Sequence, residues 1–325
     1  MRLETPGFFD LQVNGFGGVD FNDPALTPEQ IHRAVLALRA TGVTRFLPTL
    51  ITSSLDHFAR CARTLARCPD PAVAGIHMEG PYISPEDGPR GAHPRAHVRP
   101  ASIDDFRRRQ DAAEGRIVLV TLAPEADGAL ELAAGLTKMG VRVAVGHTGA
   151  DGERLGAAVA AGAVLATHLG NGCAGWLPRH PNLLWEQLAD DRLLASFIVD
   201  GHHLPPATVK AMVRAKTPAR SILVTDAVAA AGCVPGRYRL GGMEVELGAD
   251  GRVAAPGADH LAGSALTMDR AVANTVRFTG LPLEEVLPMA TSRPAGLLGL
   301  EPAGRVVIDW DAGRGRLGIV SVEAG

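Results

Sequence analysis

A chain of 325 residues, 46% hydrophobic and 21% charged, carries enough apolar material for one sizeable core, and its length suits a barrel with a small appendage. Its 32 basic and 35 acidic side chains leave a net charge of −3, so there is no basic excess for nucleic acid and no like-charge run that reads as a tail. No window of about 18 uninterrupted apolar residues and no basic-then-apolar leader is visible, so neither a membrane span nor a secretory signal is expected. Cys61, Cys68, Cys173 and Cys233 match no zinc-ribbon spacing and are too few for a disulfide scaffold, which points to reduced thiols and a cytoplasmic protein.

In chain order, the apolar run at 7–13 predicts a strand, and 27–41 a helix with Thr27 or an adjacent residue as N-cap and Pro28 at its first position. Residues 44–51 predict a strand, 54–68 a helix, and 72–77 a strand that runs into a Gly/Pro-rich loop over 80–100. A helix follows at 102–110, with Asp104 and Asp105 where the helix dipole favours negative charge. Strand–helix pairs then recur at 117–122 and 128–138, and at 141–146 and 152–161. A strand at 164–167 leads into a second long loop over 169–181, and 195–199, 205–215 and 221–225 give strand, helix and strand. Eight near-continuous apolar strands covered on both faces predict an α/β fold, a (β/α)8 TIM-like barrel, with a doubly wound sheet as the alternative closure. The alternating segment 238–255 predicts a hairpin, 265–279 and 283–289 helices, and 305–309 and 318–322 two more strands. The expected division is a barrel of residues 6–235 and 260–300, with 236–259, 301–325 and 1–5 forming one small, reduced β-sandwich subdomain.

The polar residues at the strand ends point to chemistry. Gln12 and Asn14 end the first strand, His77 and Glu79 the third, His147 the fifth, His168 the sixth, and Asp226 the eighth; Asp200, His202 and His203 follow the seventh. In a barrel all of these share the C-terminal mouth, where such folds place their active sites. Glu79, His147 and His168 make a two-imidazole, one-carboxylate set that leaves an open coordination position, as at catalytic zinc. Asp226, in Val-Thr-Asp-Ala, is the candidate proton carrier. Each residue also has a structural alternative: Glu79 as a turn cap, Asp226 as a helix N-cap, and His147 as a hydrogen-bonded strand end. His77 is expected to be structural, and His32, His57 and His97 to lie on the surface. Cys173 lacks the neighbours of a catalytic thiol.

The segments PGFFDLQVNGFGGVDFND, HMEGPYISPEDGPRGAHP, VGHTGA, THLGN, VDGHHL, VTDA and LAGSALTM occur in this order. Together, from about Pro6 to Gly299, they resemble the N-acetylglucosamine-6-phosphate deacetylases of the amidohydrolase superfamily. The resemblance implies a distorted barrel, a homodimer, and removal of acetate from an aminosugar phosphate. It maps Glu79, His147 and His168 onto the metal ligands, Asp226 onto the catalytic carboxylate, and His93 onto a substrate-contacting residue that polarises the acetyl carbonyl. Ala92, Asn171, Gly172, Leu261, Ala262 and Gly263 match positions around the sugar. Arg179 and His203 match a phosphate-binding pair usually supplied across the dimer interface.

Three features depart from the wider pattern. Gln12 and Asn14 stand where many amidohydrolases carry His-x-His, which favours one divalent ion, zinc before iron, cobalt or manganese. Gly172-Cys173-Ala174 replaces the usual Ala-Met-Pro in the wall of the sugar pocket. The first barrel strand begins almost at residue 6, so the β-subdomain is expected to be small. The competing expectations are a related amidohydrolase acting on another N-acyl sugar, an N-acyl amino acid or a cyclic amide, and a non-catalytic sugar-phosphate binding protein.

Overall fold

The computed structural model describes residues 1–257 and 260–325. Positions 258 and 259, inside the segment 236–259 expected in the β-subdomain, lie outside the described residues.

Eight parallel strands pair in sequence order: β1 (Phe8–Val13), β2 (Val43–Leu50), β3 (Ile76–Glu79), β4 (Ile117–Leu122), β5 (Arg142–Val145), β6 (Ala163–Ala166), β7 (Leu194–Ile198) and β8 (Ser221–Val224). Helices alternate with them, and their starts follow local chemistry. Thr27 and Gln30 form a reciprocal capping box on helix Pro28–Arg39, and Ser54, Ser102 and Asp151 each cap a later helix through a side-chain oxygen. All six residues of β1 are buried, as expected for a strand covered on both faces.

The seam between β8 and β1 is not a regular ladder. The buried Asp10 carboxylate accepts from the Thr225 amide at 3.2 Å and the Thr225 hydroxyl at 2.5 Å. One residue further on, the Asp226 amide donates to the Gln12 carbonyl at 3.0 Å, and the Asn14 amide to the Ala227 carbonyl at 2.7 Å. The circle is therefore joined most closely at its C-terminal mouth. Burial pushes the Asp10 carboxyl up to about 7, in spite of these hydrogen bonds.

The expectation of a single β-subdomain needs correction. The outlying strands form two separate antiparallel sheets, apart from the short hairpin of Gly15–Phe16 and Val19–Asp20 that follows β1. One joins Arg2–Pro6, Arg305–Asp311 and Arg316–Glu323, and it lies against the starts of β1 and β2, where the Gly7 amide donates to the Gly304 carbonyl and the Thr44 hydroxyl to the Ala303 carbonyl. The other joins Gly236–Leu240, Met243–Leu247 and Val253–Ala254. Its first turn is Gly241-Gly242, both with positive φ, as a tight hairpin requires. Leu240, Val245, Leu247 and Val253 of this sheet pack on Ile51, Val228 and Ala262 at the mouth of the barrel. The physical reason is that each sheet has its own apolar face, and the two faces are buried against opposite ends of the barrel. Alternation along a strand reveals that one face is buried, but not what covers it.

Candidate metal centre and substrate cavity

Glu79 is the last residue of β3, and His147 and His168 follow the ends of β5 and β6. All three are buried, and their ligand atoms lie within 4.8 Å of one another. Nε2 of His168 is 3.1 Å from Glu79 Oε1 and 3.2 Å from Nε2 of His147, which is itself 3.3 Å from Glu79 Oε1. The tautomer of His147 follows from its other nitrogen. Nδ1 lies 2.9 Å from the Pro89 carbonyl, which only accepts, so Nδ1 carries the proton and Nε2 presents a lone pair. A lone-pair nitrogen, a second imidazole nitrogen and a carboxylate oxygen converging in a buried space form a donor set that fits a divalent cation. Burial would raise the Glu79 carboxyl, but the imidazoles of His147, His168 and His93 around it hold it well below the usual range. His168 is raised despite its burial, chiefly by Glu79.

Asp226 lies just beyond β8. The Asn14 side-chain amide donates to its Oδ1 at 2.7 Å, and the Gln12 amide at 3.1 Å. The same Gln12 nitrogen donates to Glu79 Oε1 at 2.8 Å, so one carboxamide ties Asp226 to the trio. Burial, and then the Glu79 charge, push the Asp226 carboxyl up to about 6. His147, His168 and Asp226 all have positive φ, a strained conformation for non-glycine residues that the surrounding strands must hold in place.

His93 sits on the loop after β3. Its Nδ1 is 2.8 Å from the Thr52 hydroxyl and 3.3 Å from the Thr52 amide, and its Nε2 is 3.7 Å from Glu79 Oε2. Burial, then the neighbouring His147, lower its imidazole to about 4. His77 is structural, as the sequence suggests: its ring spans from the Leu11 carbonyl to the Thr121 hydroxyl beneath the trio, and burial lowers it to about 4. His57 is half-buried rather than superficial, because its Nε2 reaches the Asn22 carbonyl at 2.7 Å.

A cavity of about 780 Å³ opens over these groups. Of the residues singled out from sequence, Ala92, His93, Asn171, Gly172, His203, Leu261, Ala262 and Gly263 line it together with Glu79, His147, His168 and Asp226. Gly172 has positive φ, and a side chain there would meet the His147 ring at 3.0 Å, so glycine permits the close approach. His203 is oriented by Asp200, whose Oδ2 lies 2.7 Å from Nδ1. Of the residues matched by resemblance to metal, catalytic and substrate positions, Arg179 alone does not line the cavity; it is exposed on the loop after β6, near Trp176, which is 96% exposed.

Several lining residues escape sequence reasoning. Leu240, Met243 and Val245 of the mouth sheet form an apolar wall, and Arg90 braces the His93 loop by donating to the His93 carbonyl at 2.7 Å. The proline- and glycine-rich character of 80–100 signals a shaped loop, but nothing in it marks Arg90 or its partner Asp87. Thr52, two residues beyond β2 and behind the lining, is likewise unmarked.

Among the described residues no helix is long and apolar enough to cross a membrane. The sequence profile described as the amidohydrolase family matches residues 4–312. The chain is 35% identical over 305 residues to the N-acetylgalactosamine-6-phosphate deacetylase of Escherichia coli O157:H7, covering 92% of this chain and 79% of that protein. It is 38% identical over 320 residues to the human N-acetylglucosamine-6-phosphate deacetylase, covering 92% and 75%. A mutant N-acetyl-D-glucosamine-6-phosphate deacetylase from Mycobacterium smegmatis, solved in complex with N-acetyl-D-glucosamine-6-phosphate, superposes with a TM-score of 0.92 at 35% identity, covering all of this chain and 86% of that one. The barrel, the buried trio and the match over nearly the whole sequence lead to one conclusion: the chain belongs to the amidohydrolase family.

Proposed function

We propose that this protein hydrolyses the acetamide of N-acetylglucosamine 6-phosphate, giving glucosamine 6-phosphate and acetate. The observation that carries the proposal is Gln12 bridging Glu79 and Asp226, which sets a raised carboxyl beside a buried His-His-Glu set within one cavity. The names of the relatives supply the substrate class. Glu79, His147 and His168 would hold one divalent ion, zinc by the chemistry of the set. That ion supplies Lewis-acid activation of water and of the amide carbonyl. Asp226 takes a proton from the attacking water and returns it to the amine nitrogen as the C–N bond breaks. His93 donates a hydrogen bond to the oxygen on which negative charge develops. Asn171, Gly172, Ala92 and the segment Leu261–Gly263 surround the sugar.

His203 and Arg179 are the proposed phosphate ligands. His203 already lines the cavity, whereas Arg179 stands outside it on an exposed loop. This separation supports a homodimer in which Arg179 reaches the cavity of the second copy. The four free cysteines are in keeping with a cytoplasmic enzyme.

The test is acetate release by metal-loaded protein from N-acetylglucosamine with and without the 6-phosphate, beside the C4 epimer named for one relative. The expected order is the phosphorylated sugar first, by a wide margin over the free sugar. Equal rates with and without phosphate would remove the role given to Arg179 and His203. Turnover confined to N-acyl amino acids or cyclic amides would move the protein to another amidohydrolase activity, and binding without turnover would make it a sugar-phosphate binding protein.

A further inference from the structure

A neutral imidazole that polarises a carbonyl must present its N–H, and not its lone pair, to the substrate. Two donors approach Nδ1 of His93 from Thr52: the hydroxyl at 2.8 Å and the backbone amide at 3.3 Å. The hydroxyl could play either role, but the amide can only donate. A proton on Nδ1 would set two N–H groups against each other, so Nδ1 is the acceptor and the proton belongs on Nε2, the nitrogen that faces Glu79 Oε2 at 3.7 Å. We infer that Thr52 is a positioning residue that holds His93 in its Nε2-protonated tautomer, aiming one N–H into the cavity beside the metal ligands; its catalytic meaning rests on the deacetylase reading above.

The surroundings keep Thr52 from adjusting to the opposite tautomer. Thr52 is buried, and its hydroxyl is packed so closely on Gly80 that a Cβ there would lie 2.2 Å away. The backbone before it is pinned by Asn22, whose Oδ1 accepts from the Ile51 amide at 2.9 Å and whose Nδ2 donates to the Thr49 carbonyl at 2.9 Å. Behind it, Arg109 reaches the Ser53 carbonyl while its guanidinium is held by Asp105 at 2.9 Å and stacked over Phe58. The strand end that carries Thr52 is thus fixed on both sides, and the ring has to adapt to the donors.

The experiment is long-range proton–nitrogen NMR of the zinc-loaded, histidine-labelled protein at neutral pH, with His93 assigned by the signal missing from His93→Gln. The expected result is an unprotonated Nδ1 and a protonated Nε2; a protonated Nδ1 would overturn the inference. Thr52→Val and Thr52→Ser give a second readout. Loss of an orienting partner of this kind costs about 10–100-fold. Thr52→Val should therefore lower kcat about tenfold with KM within about twofold, and Thr52→Ser should restore most of it. Wild-type kcat in Thr52→Val, or a loss shared equally by Thr52→Ser, would count against a hydrogen-bonding role. If the wild-type protein released no acetate from any of the sugars, the functional reading would fall, while the NMR result would still decide the tautomer.

Discussion

The floor of the cavity and the loop that follows β6 are built on different principles. On the floor, Glu79, His147, His168 and Asp226 sit at strand ends, the first three buried and Asp226 half-buried, with Gln12 and Asn14 tying Asp226 to the set. The backbone strain of His147, His168 and Asp226 is held by the barrel. The loop across residues 170–182 carries Arg179 and Trp176 into solvent, and Arg179 makes no contribution to the cavity lining in this chain. The contrast separates two tasks. Bond breaking needs atoms fixed to within fractions of an ångström, which strand ends provide. In the proposed function Arg179 would grip the phosphate from this loop, beside His203 already in the cavity lining, and a loop suffices for that.

Attacking the floor should have the largest effect. His168→Ala should abolish stoichiometric metal binding and lower turnover by at least about a thousandfold. Elemental analysis together with acetate release checks this, and a fully metallated, active variant would break the assignment of the trio. Asp226→Asn should keep the metal and lose about 10²–10⁴ in kcat; loss of the metal as well would make Asp226 a ligand rather than a proton carrier.

Changing the loop should give a smaller and more selective effect. Arg179→Ala should raise KM for the phosphorylated sugar about 10–100-fold and leave the unphosphorylated sugar unaffected. If Arg179 acts from a second copy, mixing the Arg179→Ala and Asp226→Asn variants should restore part of the activity that each lacks. Unchanged inactivity after exchange of subunits would confine each site to a single chain.

Acidity sharpens the comparison further, because the floor titrates as a unit. In the proposed mechanism Asp226 works as a carboxylate, so kcat/KM should fall as pH drops through its pKa. That value is raised to about 6 by burial and Glu79, and a cation alongside would lower it. The midpoint of the acid limb is therefore expected at about 6 or below; a midpoint above 7 would point to another base.

The smallest effect concerns stability. In metal-free protein the native Asp226 value lies above its unfolded value of 3.8, so its stabilisation is present at low pH and is lost as pH rises toward about 6. At pH 7 Asp226→Asn should thus raise the melting temperature of the metal-free protein by about 2–4 °C. A clear drop would show that the hydrogen bonds from Asn14 and Gln12 outweigh the burial of charge.

Much of this arrangement was legible in the sequence, for identifiable reasons. The barrel strands are short apolar runs with a polar residue at one end, and in a closed parallel sheet such residues share a mouth whatever the details of packing. That is why Glu79, His147, His168 and Asp226 meet in the structure, and why the structural role of His77 is readable from its position two residues before Glu79. The placement of the outlying strands was not legible, because it depends on which distant surface covers each apolar face. Thr52, Arg90 and Asp10 were also out of reach. Thr52 and Asp10 act through partners 41 and 215 residues away, and Arg90 through the fold of its own loop onto His93; a threonine after a strand, an arginine in a loop or an aspartate within an apolar run carries no local sign of it. Arg179 was visible only by resemblance to relatives; among the described residues the Asn182 amide reaches its carbonyl, but no partner fixes its side chain.

The seam between the first and last strands has a consequence for how activity is acquired. Asp226 reaches its partners Gln12 and Asn14 across separations of 214 and 212 residues, and the ties flanking Asp10 and Thr225 are comparably distant. Such contacts close very long loops and are expected to form late. On refolding, helical signal should therefore recover before turnover does. Asp226, the proton carrier of the proposed function, would then also be a timer, its chemistry beginning only once the two ends of the barrel have met.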